Sequence, residues 1–145
     1  MKITIETPDQ GEEEEIIIRC RVLDEELMEL IYKLKAGRGR LTAYSSQGML
    51  ILPVRDVYYF ESVDNKVFAY CRKEVYEVHK KLYELEQELG SQDFLRISKS
   101  SIIHLSKISY LKPLFNGRFE AVLKNGEKTL ISRRYVAEMK KKLGI

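Results

Sequence analysis

"FLRISKSSIIHLSKISYL", residues 94–111, sets Arg96, Lys99 and Lys107 among Phe, Leu, Ile and Tyr. The stretch reads as core-forming backbone interrupted by a short polar, cationic loop around Lys99 and Ser100. Such a loop is suited to holding something anionic, and the flanking sequence decides what scaffold carries it.

Downstream, Asn116 and Gly117, then Asn125 and Gly126, each stand between β-like runs. Asn-Gly is a strong hairpin signal because both residues accept positive φ. "KISYLKPLF", "RFEAVLK" and "EKTLIS" are the expected strands of a meander. The chain then closes in "SRRYVAEMKKKLGI", where Val136, Met139 and Leu143 share a face and Ser132 is placed to cap a short helix. Upstream, "LTAYSS", "MLILPV", "VYYFES" and "KVFAYC" are short runs of β-branched and aromatic residues, separated by the turn-prone "SQG" and "VDN". Val75, Val78, Leu82, Leu85 and Leu89 recur at three and four, which predicts one amphipathic helix over 75–89, ended by Gly90 and Ser91, with His79 on its surface. The first 40 residues differ in texture. "KITIE" and "EIIIRCRVL" suggest two short strands or a hairpin around an acidic run. A helix then begins at Asp24 as N-cap, sets Leu27, Met28, Ile31 and Leu34 on one face and stops at Gly37, and "GRGR" at 37–40 is a connector.

At 145 residues and 44% hydrophobic content the chain can bury a core of its own. No run is long enough to cross a bilayer and no signal peptide opens it, which predicts a cytoplasmic protein. Cys20 and Cys71 have no CxxC or His-rich partner, so reduced, packed thiols are expected rather than a disulfide or zinc site. The net charge of +3 is unevenly spread. Residues 1–40 hold 7 Lys and Arg against 10 Asp and Glu, whereas residues 93–145 hold 12 against 4. A basic block beside an acidic one suits a polyanion-binding surface.

Nothing points to catalysis, a cofactor or a metal. His79 and His104 have no recognisable partner, and His104 reads as a strand-end residue with a structural hydrogen bond. GxGxxG, GxxxxGK[ST], HExxH and GxSxG are all missing. The cations, by contrast, stand at segment ends: Lys66 after "VDN", Lys99 in "SKSS", Arg133 and Arg134 after "TLIS". Loops at one edge of a β scaffold can hold lysine as a point charge and arginine as a bidentate fork for guanine O6 and N7.

From Leu41 to Ile145 the chain resembles the LytTR-type DNA-binding domain of bacterial transcriptional regulators. The likeness is carried by "VRDVYYFES" with "NKVFAY", by "LYELEQEL", by "FLRISKSSIIHLSKI" and by "LKNGEKTLISRRYVAEMKKKL". It implies a mainly β fold, an elongated sandwich of small antiparallel sheets with two or three short helices. DNA is expected to be read by loops in the major groove rather than by a recognition helix. The family's contacting positions fall on Lys66, Lys99 and Arg134, with Arg96, Ser100 and Arg133 as neighbours, and His104 replaces the family's usual Asn. Promoter direct repeats as target, dimers on DNA and a membrane-bound inhibitor protein as controller are further implications. The expected division is an acidic strand-helix extension, 1–40, and the DNA-binding domain, 41–145. The 40 residues upstream are too few for the receiver domain that usually precedes this module. The alternative is a protein-interaction module whose basic C-terminal third binds an acidic partner. An RNA-binding module is disfavoured because the aromatics of "VYYFES" alternate into a core instead of forming a stacking face.

Overall fold

The computed structural model describes residues 2–13, 15–36, 39–90 and 92–145, with 32–36 described by their backbone. After helix α1 (Glu25–Ala36) come β1 (Arg40–Ser45), β2 (Gly48–Pro53), β3 (Tyr59–Val63), β4 (Lys66–Tyr70) and β5 (Val75–Val78). Helix α2 (Leu82–Leu89) follows, then β6 (Phe94–Ser98), β7 (Ser101–His104), β8 (Ile108–Pro113), β9 (Phe119–Leu123), β10 (Lys128–Ile131) and helix α3 (Arg133–Leu143). The fold is mainly β, as expected, and every strand pair is antiparallel. Seven strands form one sheet in the order β2-β1-β5-β4-β3-β7-β6, and β10-β9-β8 form a second.

Local chemistry explains the turns. Val63 pairs with Lys66 across Asp64 and Asn65, whose φ values of 51° and 63° make the two-residue reversal that matches strand twist. Asn116 and Gly117 likewise both take positive φ, 70° and 73°. At the second Asn-Gly pair only Gly126 does, at 90°. Asn125 acts through its side chain there, its Oδ1 accepting the Glu127 N–H at 3.1 Å.

Two cores lie on opposite sides of β6 and β7. Phe94 and Ile102 enter the first with Phe60, Val67, Ala69, Leu85 and Leu89, so α2 caps that face. Leu95, Ile97 and Ile103 enter the second with Ala121, Leu123, Ile131 and Met139, which joins the three-stranded sheet and α3 to the larger one. A strand covered on both faces reads as an unbroken apolar run, and all four residues of β7 are buried.

Several expectations are corrected. Residues 75–78 are a strand, not the start of a helix, and pair with both β4 and β1. The helix is confined to Leu82–Leu89, so His79 sits in the bend before it, stacked on Tyr44 with ring centroids 3.7 Å apart. "KITIE" and "EIIIRCRVL" form no strand among the described residues, since no neighbouring strand is there to pair with, and a lone hairpin is marginal in water. Asp24 does cap α1, its Oδ1 accepting the Leu27 N–H at 2.8 Å, but none of the described α1 side chains is buried. The expected stop at Gly37, Arg38 of the connector and Ser91 lie outside the described residues, as does the side chain of Leu34. Ser132 holds the N-cap position of α3 without a side-chain cap bond. Cys71 is packed, and burial raises its thiol to about 11, whereas Cys20 is exposed rather than packed.

Candidate nucleic-acid interface

Non-local register brings the two cationic turns together. Because β3 pairs with β7, Glu61 lies opposite Ser101 and the Ser62 N–H donates to the Ser100 carbonyl at 2.8 Å. The β3–β4 and β6–β7 turns therefore project from one end of the large sheet as neighbours. Lys66, Lys99 and Ser100 are exposed there. The Lys66 ammonium lies 3.8 Å from Glu77 Oε1, a loose surface pair that leaves it two-thirds exposed and available to another anion.

Arg96 serves this end from inside. Its guanidinium donates to the Ser98 carbonyl at 2.7 Å, to the Lys99 carbonyl at 2.5 Å and to Glu86 Oε2 on α2 at 3.0 Å. The Ser100 N–H adds a 3.2 Å bond to Ser98 Oγ. Arg96 is thus engaged in shaping the β6–β7 turn, with a side chain only 18% exposed.

The β10–α3 junction is tied to the same strand, since the Ser132 N–H donates to the Ile97 carbonyl at 2.8 Å, one residue before Ser98. Arg133 and Arg134 open α3 from that anchor and are exposed. Arg133 lays its methylenes over the Asn116–Gly117 turn: a Cβ on Gly117 would stand 3.3 Å from its Cδ, which makes glycine fit that place twice over. The Arg134 guanidinium carbon lies 5.5 Å from the Tyr135 ring centroid, a cation–π contact that leaves its donors free. Between the junction and the three-stranded sheet runs an open groove of about 430 Å³ lined by Ser98, Arg118, Glu120, Lys128, Leu130 and Ser132 among others. Arg118 and Lys128 were not singled out in the sequence, although Arg118 directly follows an Asn-Gly turn. Five of the six expected residues, Lys66, Lys99, Ser100, Arg133 and Arg134, are exposed where sheet end and junction meet β6, and Arg96 is behind them.

His104 has the structural role expected of it. Its Nδ1 lies 2.8 Å from the Val57 carbonyl and must donate, so Nε2 accepts from the Ser106 hydroxyl at 2.8 Å, and the ring stacks on Phe94 with centroids 4.3 Å apart. Burial lowers its pKa from about 6.5, with Lys107 and Lys124 pushing the same way against the Val57 carbonyl and Asp93. A folded-state value below the unfolded one means that the unfolded chain binds the extra proton. The stabilisation is complete above about pH 6.5 and is lost as pH falls through the folded value. In urea unfolding at pH 7 and pH 5, the wild type should lose more stability between the two than His104→Asn, which keeps a donor for Val57 but has no proton to gain. Equal losses would take His104 out of the acid response.

Residues 47–144 match the family model of the LytTr DNA-binding domain. A sensory transduction protein LytT of Bacillus cereus is 32% identical over 99 residues, covering 68% of this chain and 40% of that protein. A Staphylococcus aureus protein named as an HTH-type transcriptional regulator is 35% identical over 105 residues, 72% of this chain and 71% of its own length. The solved LytTr DNA-binding domain of a methyl-accepting/DNA response regulator from Bacillus cereus superposes with a TM-score of 0.70 at 25% identity, over 74% of this chain and 98% of that one. The chain spans only 39% to 57% of the length of the LytT proteins it matches.

Proposed function

The chain belongs to the LytTR family of DNA-binding domains, a family of DNA binders and not of enzymes, and from that premise we propose that it is a transcriptional regulator that reads duplex DNA through loops in the major groove. The observation that supports this reading most is the shared anchoring on one strand. The β6–β7 turn is the continuation of β6, the β3–β4 turn is bonded beside it, and the Ser132 N–H ties the α3 start to β6 at Ile97. Lys66 and Lys99 act on phosphates, with Ser100 as a hydroxyl partner, and Arg134 reads a guanine edge. Arg133 is set between the junction and the Asn116 turn. Residues 39–145 suffice for this, because Gly39 already belongs to the domain through its carbonyl, which accepts the Val54 N–H at 2.7 Å. Promoter direct repeats are the target, occupied by more than one copy of the chain, and control by a membrane-bound inhibitor is part of the same reading.

Selection from a random duplex pool tests this. Both the full chain and residues 39–145 should enrich one common sequence, and failure of either to enrich anything would sink the proposal. A basic surface that merely binds an acidic protein would retain duplex in a salt-dependent way without preferring any sequence.

The division of labour is also measurable. Arg134→Ala should cost about 1–3 kcal/mol on the selected duplex and relax preference at one base pair, and Arg134→Lys should restore little of it, because an ammonium lacks the planar fork. Lys99→Ala should weaken all duplexes alike and reduce the salt slope by about one unit. Titration against single-base variants at several salt concentrations separates these, and an Arg134→Ala protein with unchanged base preference would remove that residue from the site.

A further inference from the structure

We propose that the open groove between the β10–α3 junction and the three-stranded sheet holds the sugar–phosphate backbone of the DNA strand beside the base pair at Arg134. The inference rests on the reading of this chain as a DNA binder, and it adds Arg118 and Lys128 to the contacts. Strand register builds the groove. Glu120 on β9 pairs with Leu130 on β10, and Val122 with Lys128. Side chains two residues apart share a face, so Lys128 and Leu130 lead along β10 to Ser132 at the start of α3. The same register continued past Phe119 and Ile131 sets Arg118 opposite Ser132. The Leu114 N–H, donating to the Arg118 carbonyl at 2.8 Å, fixes the backbone there. From Ser132 to Lys128 is about 13 Å at 3.3 Å per residue, a length that fits a run of backbone better than one phosphate ion.

The chemistry of the lining selects a phosphate diester. Arg118 and Lys128 are both exposed, and among the described residues neither side chain has an ion pair or a hydrogen bond, the ion pairs lying instead on Lys66, His79, Lys80 and Arg96. The Ser132 hydroxyl makes no bond to its own helix. Glu120 is the single carboxylate among the described lining residues. A guanidinium fork, an ammonium and a free hydroxyl along one shallow groove are the donors that DNA backbone takes. The ends of the groove favour DNA over an acidic peptide. Ser98 directly precedes Lys99 at the β6–β7 tip, and Ser132 directly precedes Arg133 and Arg134. A strand lying in the groove therefore continues along the surface that the loops present to the duplex.

Arg118→Ala and Lys128→Ala should each weaken binding of every duplex, selected or random, about fivefold near 0.15 M salt and lower the salt slope by about one, and together by about two. Base preference and the urea midpoint should stay as in the wild type, since neither side chain gives up a partner. Glu120→Gln should tighten binding of every duplex. Lys141→Ala removes the same charge from the last turn of α3 and should change affinity and slope far less. Neutral methylphosphonates placed singly in the selected duplex locate the contact. At one or two sites flanking the base pair read by Arg134 they should weaken the wild type about as much as Arg118→Ala does, with no further effect on the double variant. Wild-type affinity and slope in the double variant, an equal effect of Lys141→Ala, or methylphosphonate effects undiminished in the double variant at every site would each overturn the inference. If one sequence is selected and the double variant binds it like the wild type, the groove alone is refuted. If no sequence is enriched, the functional reading falls with it.

Discussion

Phe60→Ala is expected to lower the unfolding free energy by about 3–5 kcal/mol, the largest effect of any single truncation in this chain. Phe60 is fully buried at the middle of β3, paired with Ala69 on β4 and Ile102 on β7. Its ring meets that of Phe94 with centroids 5.7 Å apart and planes inclined at 46°. Ala69 is too small to move into the space, and the neighbouring strands are held by ladder bonds on both sides, so the cavity stays open. A domain of this size is stable by about 5–15 kcal/mol, so the variant should unfold at a far lower urea concentration. Phe60→Leu should lose distinctly less. A cost near 1 kcal/mol for the alanine variant would mean that the sheet collapses around the vacancy.

The second large effect belongs to Arg96, and it should appear in two measurements at once. Arg96→Ala removes a charged donor from two carbonyls and from Glu86, each such bond being worth about 1.5–3 kcal/mol at best and less near the surface, so a net loss of about 2–3 kcal/mol is expected. The β6–β7 turn then loses the group that folds it, and affinity should drop for every duplex, cognate or not. Arg96→Lys should not restore either property, since one ammonium cannot meet three acceptors set around a planar fork. Amide exchange at Lys99 and Ser100 supplies the check. If those amides exchange as in the wild type while DNA binding falls, Arg96 contacts DNA directly and is not a positioning residue.

Most of the β architecture was legible because it is written locally. The β-branched runs and the Asp64, Asn116 and Gly126 reversals are all signals that act within a few residues. What failed was positional. Val75 and Val78 continue the three-and-four spacing of Leu82, Leu85 and Leu89, and no glycine or proline marks the break at Lys80 and Lys81, so the periodicity ran across a strand and a helix. The β-branched and aromatic pair Val75 and Tyr76 was the contrary signal, and β5 forms because β1 and β4 offer ladders on both sides. The N-terminal runs fail in the opposite sense, having strand composition and no ladder to join. At the site, Lys66, Lys99, Arg133 and Arg134 were visible as cations at segment ends. The inward turn of Arg96 was not, since it depends on Glu86 from a different element and on carbonyl directions in the turn. Nor was the meeting of the two turns, which follows from the pairing of β3 with β7 across some forty intervening residues.

The wall made by β6 and β7 bears on how such a protein can change over generations. Phe94, Leu95, Ile97, Ile102 and Ile103 face one core or the other, and no side of either strand is free to drift. The only exposed residues between these strands are Lys99 and Ser100. A substitution in either strand disturbs a core, whereas one at the tip alters only the surface presented to a partner, and the strands beneath keep the tip in place.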